Sequence, residues 1–462
     1  LLSLFDFLLL PIYLFIIGQI AGSYQKRKSR ENPVYKYFVR GLMAKIGGGI
    51  LLCIIYTQYY QGGDTTAYFE SSTYLFNLMF KHPDIWAKIM MNDLRWENYF
   101  YFDSETGYPG YYRDPQSFTV VRLTWIFHFL SLKRYLFTTV LLASVCYLGV
   151  WRLFLMFNEL YPGMQRAFSF SVLFIPSVLF WGSGVLKDSY TLSAACWFTY
   201  SFYRVFIMPK KVFINLIMMV LTALLITQIK PYIFLALLPG SFLWLTLHRL
   251  KGIQNAAFRF LIAPVVGGVI MLGGYLAFTG IQQNLSQYSS IDKVLEKAVV
   301  TQQDLKQDYY QGNSFDIGEF DNSITGILSK FPVAFTAGLF RPFLWEANNP
   351  VMLIAGLENA FMLGLTLFIL FRIGPVAFVK AVSSNPMLFF SLIFAIFFSF
   401  SVGLTTANFG ALVRYKIPAL PYYISSILIM YNLYVRKPGE EDEEAPKDNP
   451  EHELNQAGVV QA

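Results

Sequence analysis

Residues 1–30 read LLSLFDFLLLPIYLFIIGQIAGSYQKRKSR, an apolar run interrupted by one acid, Asp6, and followed at once by Lys26, Arg27, Lys28 and Arg30. A run of about 20 largely apolar residues is long enough to cross the hydrocarbon core of a bilayer as a helix. The basic cluster goes on to Lys36 and Arg40 against a single acid, Glu31, and marks the cytoplasmic end of such a helix. No basic segment precedes the run and no small-x-small site follows it before the cluster, so a retained helix is expected rather than a cleaved signal peptide.

Comparable runs recur along the chain. Eleven spans are expected, at 2–22, 42–60, 134–157, 167–184, 189–207, 212–229, 232–248, 258–279, 352–371, 387–402 and 412–433. The composition agrees: the 462 residues are 55% hydrophobic, 18% aromatic and only 14% charged, against about 25% charged in a soluble domain. A water-soluble globule has too much exposed shell to hide that apolar content. Soluble enzyme, transcription factor and secreted module are thereby excluded, and a net charge of +7 scattered along the chain gives no case for nucleic acid. The fold class expected is all-α: a polytopic integral membrane protein with about eleven transmembrane helices and two large external loops.

With the first basic cluster in the cytoplasm, the N-terminus is external and eleven crossings bring the C-terminus inside. Arg204, Lys210 and Lys211, then His248, Arg249 and Lys251, then Arg372 and Lys380, and finally Arg436 and Lys437 all fall on the cytoplasmic side in that arrangement. One transmembrane domain, 1–437, is expected, with external loops 61–133 and 280–350. Within the first loop, 61–116 carries eight acids and many aromatic rings and reads as short amphipathic helices on the outer membrane face. The stretch 118–132, with Arg122 and His128, reads as an interfacial or re-entrant helix. In the second loop 291–307 has a helical pattern and 309–323 reads as irregular. After Lys437, eight acids among prolines and polar residues make 438–462 an expected disordered cytoplasmic tail and a docking segment for a protein partner. Cys53, Cys146 and Cys196 sit in apolar runs without ligand spacing and read as core residues; the four histidines read as surface or interface residues.

An ionisable side chain near hydrocarbon is costly unless it is paired, solvated or used. Several gather at the expected outer helix ends. Asp64 follows two glycines in Gly62-Gly63-Asp64-Thr65-Thr66-Ala67-Tyr68; the glycines allow a tight turn, and an ionised carboxylate beyond them suits a base or a ligand to a divalent cation. Lys187 and Asp188 separate two apolar runs after Trp181-Gly182-Ser183-Gly184. Lys230-Pro231 makes another turn on that side, Arg341-Pro342 with Glu346 closes the second loop, and Arg414-Tyr415-Lys416 leads into the last span, where Pro418 and Pro421 weaken the helix start. Either these groups are snorkelling residues and structural pairs such as Lys187 with Asp64, or they line one outward cavity. Such a cavity would suit a phosphate or diphosphate, with Arg giving bidentate bonds and Lys a movable point charge.

Gly63-Asp64-x-x-x-Tyr68 resembles the acidic first-loop motif of C-type membrane glycosyltransferases, Arg414-Tyr415-x-x-Pro418 resembles their late Arg-Tyr-x-x-Pro segment, and Phe180 to Asp188 resembles a pattern in polysaccharide polymerases of the Wzy and EpsG type. The resemblance implies an enzyme of the bacterial inner membrane that transfers or polymerises polyprenyl-phosphate- or diphosphate-linked sugars onto an acceptor glycan at the external face. It implies Asp64 as general base or metal contact and, with only Asp188 or Glu346 to supply a second acidic motif, Asp188 as a further catalytic acid. Lys187, Lys230, Arg341, Arg414 and Lys416 would hold phosphate, with Tyr68, Trp181, Glu346 and Tyr415 against substrate. A flippase or transporter of an anionic lipid or solute, and a non-catalytic subunit of an envelope or secretion complex, remain alternatives.

Overall fold

The computed structural model describes residues 1–251, 299–302, 314–318 and 323–435, together with 268 and 304. These residues form a multi-pass, all-helical membrane protein; no strand is present among them beyond one isolated bridge between Ser314 and Asn408. Among the described residues seven helices are long and apolar enough to cross a membrane: Leu4–Ser29, Pro33–Tyr59, Tyr135–Leu160, Val212–Ile229, Pro231–Leu250, Pro350–Ile373 and Pro386–Thr405. Local chemistry starts them. Asn349 and Asn385 accept hydrogen bonds from Met352 N and Met387 N, and Pro350 and Pro386 occupy the first helical position, where a missing N–H costs nothing.

The other four expected spans fare differently. Lys187–Phe202, continued by a π turn over Tyr203–Ile207, is helical across 189–207, but Lys187, Asp188, Arg204 and many Ser, Thr and Tyr residues keep it out of the seven. The span 258–279 and the tail 438–462 lie outside the described residues, as does most of 291–307. Two spans are corrected. The stretch 167–184 is not one helix but Gln165–Phe168, a π turn over Ser169–Leu173 and the short helix Pro176–Trp181. Its terminal backbone groups are met by charged side chains of neighbouring helices: Glu358 accepts from Ser177 N at 2.9 Å, and buried Lys45 donates to Val178 O at 3.3 Å. An acid at the N-terminus and a cation near the C-terminus complement the helix dipole in a place without water. The stretch 412–433 likewise breaks, ending at Tyr415 and resuming at Leu420, where Pro418 and Pro421 interrupt backbone donation.

The second external segment is also corrected at its end. Phe331–Phe340 packs lengthwise and antiparallel on Pro386–Thr405, with Ala334 beside Gly403 and Gly338 beside Ser399, so the chain doubles back into the bundle before Pro350. A Cβ at Gly403 would stand 1.9 Å from Ala334 O, and one at Gly338 1.8 Å from Ser399 O, so only glycine permits this backbone approach.

The segment expected to be the first external loop forms a cap of helices, Asp64–Lys81, Pro83–Met90, Trp96–Tyr99 and Pro115–Thr124, over its own apolar core of Tyr68, Leu75, Leu78, Ile89, Phe118 and Val121. The 118–132 stretch packs into this cap, and His128 is buried there against Ser72 at 2.8 Å rather than lying on the surface, because burial favours a neutral imidazole with one hydroxyl partner. Cross-chain bonds sort the helix ends. Arg134 with Asp6, Asp188 with Lys230 and Arg414 with Asp64 mark one end of the bundle, and Arg204 with Glu159 and Tyr161 with Asn385 mark the other. Large apolar side chains such as Leu8, Ile20, Phe213 and Phe371 face outward between those ends, as a lipid-facing belt requires.

Replacing Gly403 by Leu is expected to cost roughly 2 kcal/mol or more through forced separation of two helices. Gly364→Leu should be neutral, since nothing lies within 4 Å of a Cβ there. Thermal unfolding and gel filtration of the two purified variants in detergent check this pair.

Candidate functional site

Gly62 and Gly63 take φ values of +135° and +138°, a turn that other residues rarely make, and set Asp64 as the first residue of its helix. Asp64 Oδ1 accepts from the Tyr111 hydroxyl at 2.8 Å and Oδ2 from Arg414 Nη1 at 2.7 Å. Arg414 Nε donates in turn to Asp188 Oδ2 at 2.5 Å, and Lys230 Nζ to Asp188 Oδ1 at 2.5 Å. One chain of charge therefore joins the cap, the Lys187–Phe202 helix, the Lys230 turn and the last helices, across 350 residues of sequence between Asp64 and Arg414. Burial is graded along it: the Asp64 side chain is 41% exposed, Arg414 11% and Asp188 1%.

A second branch runs beside it. Lys187 Nζ lies 3.4 Å from Asp114 Oδ2, and Asp114 caps Pro115–Thr124 through Gln116 N and holds the Ser117 hydroxyl. Tyr68 donates to Ser117 Oγ at 3.3 Å and packs at a tilt against Tyr111, ring centroids 4.7 Å apart, which joins the surroundings of Asp64 and Asp114. The Tyr415 ring lies 4.3 Å from Lys230 Nζ and also faces the Arg414 guanidinium. Burial by itself would raise the Asp64 carboxyl, but the Arg414 cation and the Arg414 and Tyr111 hydrogen bonds outweigh it and hold the group below the ordinary carboxylate value. Asp114 is held low in the same sense, burial being overcome chiefly by Lys187 and Ser117.

Of the residues expected from sequence, Asp64, Asp188, Lys187, Lys230, Arg414, Tyr68 and Tyr415 meet in this network. Three others sit in a separate cluster. Arg341 forms a bidentate pair with Glu346 and lies between the Phe315 and Phe409 rings, its guanidinium carbon 4.7 and 5.2 Å from their centroids. Lys416 is fully buried and donates to Leu339 O, Arg341 O and Asn359 Oδ1, so its three protons tie the doubled-back segment to the last helices. Trp181 is buried against Phe180 and Tyr56. Lys187 pairs with Asp114, not with Asp64, because Arg414 already occupies Asp64. Asp114, Tyr111 and Ser117 were not singled out from sequence; Asp114-Pro115, a capping residue before a proline at N1, was the available signal.

The residues around Asp64 do not fit a divalent cation. Both carboxylate oxygens are engaged, and among the described residues no group of three or more His, Cys, Asp or Glu converges as ligands. No step below is routed through a metal. No family model, curated protein or solved structure matches the chain.

Removing one partner of a buried ion pair strands the other. Asp188→Asn leaves Lys230 and Arg414 without their shared carboxylate, so a loss of roughly 3–5 kcal/mol is expected, partly recovered by adding Lys230→Met. Asp64→Asn, at the exposed end, should cost less. Since the folded Asp64 value lies below the unfolded one of about 3.9, its contribution is complete at neutral pH and disappears as pH falls through the folded value. Thermal midpoints of the four proteins at pH 7, with wild type and Asp64→Asn followed down to acid pH, check both statements.

Proposed function

We propose that the chain is a membrane enzyme that transfers or polymerises sugars carried on polyprenyl phosphate or diphosphate, onto an acceptor glycan, at the external face of a bacterial inner membrane. The observation that carries this reading is the partly exposed Asp64 carboxylate set against a buried guanidinium at one end of a membrane bundle. In the same reading eleven crossings place the N-terminus outside, and the end bearing Asp64, Lys187, Lys230 and Arg414 faces outward. The end bearing Arg204 and Lys210 then faces the cytoplasm.

Asp64 takes the proton of the acceptor hydroxyl as that oxygen bonds to the sugar C1. The bond from C1 to the phosphate oxygen breaks and the phosphate leaves with the electron pair, its growing charge met by Arg414 and Lys187. The donor brings its own leaving group, so no nucleotide-binding unit is needed. Tyr68, Tyr111 and Tyr415 offer ring faces beside these charges, suited to a sugar or an isoprenoid chain. Arg341, Lys416 and Glu346 support this surface from the neighbouring cluster, and Trp181 from its place against Phe180 and Tyr56, rather than meeting substrate.

Assay of the purified chain with a panel of polyprenyl-linked saccharides is expected to yield glycosidic product. Asp64→Asn should lower turnover by roughly 100-fold while keeping donor binding, and Arg414→Ala should weaken both. Donor binding without product from wild type would contradict the reading and favour transport; neither binding nor product would favour a scaffold.

A further inference from the structure

The proposed donor is an anion, yet the network that should receive it is already neutral. Arg414, Lys230 and Lys187 are matched by Asp64, Asp188 and Asp114, so an arriving phosphate finds no unengaged cation among them. One carboxylate has to yield, and the geometry says which. Asp188 is 1% exposed and binds two cations at 2.5 Å each, so its departure would strand both in the interior. Asp114, 47% exposed, is anchored as a helix cap through Gln116 N and by the Ser117 hydroxyl. Asp64, 41% exposed, touches Arg414 through Nη1 alone, and its other oxygen accepts from the Tyr111 hydroxyl. A phosphate monoester or diphosphate offers more charge and two oxygens to the guanidinium fork.

We propose that Arg414 is a shared anion seat, on which a phosphate of the lipid donor replaces the Asp64 carboxylate and, by replacing it, releases Asp64 to act as base. The proposal rests on the reading of this site as a glycosyl-transfer centre. In the resting protein Asp64 is bound by both Arg414 and Tyr111 and is a poor proton acceptor. Once the guanidinium turns to phosphate, Asp64 loses its direct bond to Arg414, the chief influence holding it low, while Asp188 and the arriving phosphate add negative charge nearby, so Asp64 becomes a stronger base. The base is thus masked until a donor is seated. Asp188 stays in place throughout and keeps Arg414 aimed at the exchange position.

The test is binding rather than turnover. The full chain in nanodiscs is titrated with a polyprenyl phosphate, with inorganic phosphate in a parallel arm to separate a lipid headgroup from a free ion. Asp64→Asn and Asp64→Ser, which remove the competing charge, are expected to bind polyprenyl phosphate about tenfold more tightly than wild type. Asp64→Glu, which keeps a carboxylate in reach, should bind like wild type, and Asp64→Asn with Arg414→Gln should lose the gain. Equal or weaker binding by both charge-removing variants overturns the exchange, as does failure of both to fold, since the resting fold must tolerate the release of Asp64. Equal gains for inorganic phosphate overturn the lipid donor as the seated ligand. Tighter binding by Asp64→Asn together with no glycosidic product from wild type would leave the exchange standing and reject the transfer reading.

Discussion

Arg414 is held by two carboxylates of unequal burial, and the arrangement of one end of the molecule depends on that inequality. Asp188, inside the bundle, fixes the guanidinium through Nε and also receives Lys230. Asp64, on the cap, takes Nη1. A guanidinium bound to the interior carboxylate alone would leave the Lys187–Asp114 pair as the remaining ion pair of the network between cap and bundle, beside apolar packing and hydroxyl bonds such as Thr65–Tyr135 and Thr124–Tyr190. A guanidinium bound to the cap alone would leave Asp188 and Lys230 as a buried pair with little to orient them. Together they give a buried inner half, with two cations on one carboxylate, and a partly exposed outer half.

The same economy of charge accounts for the broken helix behind the site. Pro176–Trp181 stops short of Lys187, and the intervening Gly182, Ser183 and Gly184 are buried. Glu358 and Lys45 meet backbone groups of that short helix from opposite neighbours. Irregular backbone inside a membrane bundle survives only when other protein groups satisfy it. The interruption from which Lys187 and Asp188 project is held by local hydroxyls, Ser183 Oγ donating to Leu179 O and Ser189 Oγ to Gly184 O. Lys416 does the equivalent for the doubled-back segment near Arg341.

Hydropathy made the long helices legible because it is a local property: 134–157, 212–229 and 387–402 correspond to helices within a few residues at each end, and the helix expected at 2–22 runs on to Ser29. The break at 174–175 was not legible as an interruption, since an apolar run reads alike whether or not a distant Glu358 meets the backbone beside a gap in it; Pro418 and Pro421 signalled a weak helix start but not the full break at 416–419. The convergence of Asp64, Lys187, Lys230 and Arg414 was foreseeable from helix-end sidedness alone. Which charges pair was not: sidedness places Arg341 and Lys416 with the others, but the distances assign them to Glu346, Asn359 and backbone carbonyls. Asp114 and Tyr111 stayed hidden in a loop already crowded with acids and aromatic rings, where only the contacts with Lys187 and Asp64 distinguish them.

The central claim is that one guanidinium ties the helical cap to the buried acid. A side-chain-resolution electron cryomicroscopy reconstruction of the full chain in a lipid nanodisc tests it most directly. The account predicts Arg414 within about 4 Å of both the Asp64 and Asp188 carboxylates when no donor is bound. Arg414 facing lipid, or touching neither carboxylate, would contradict it.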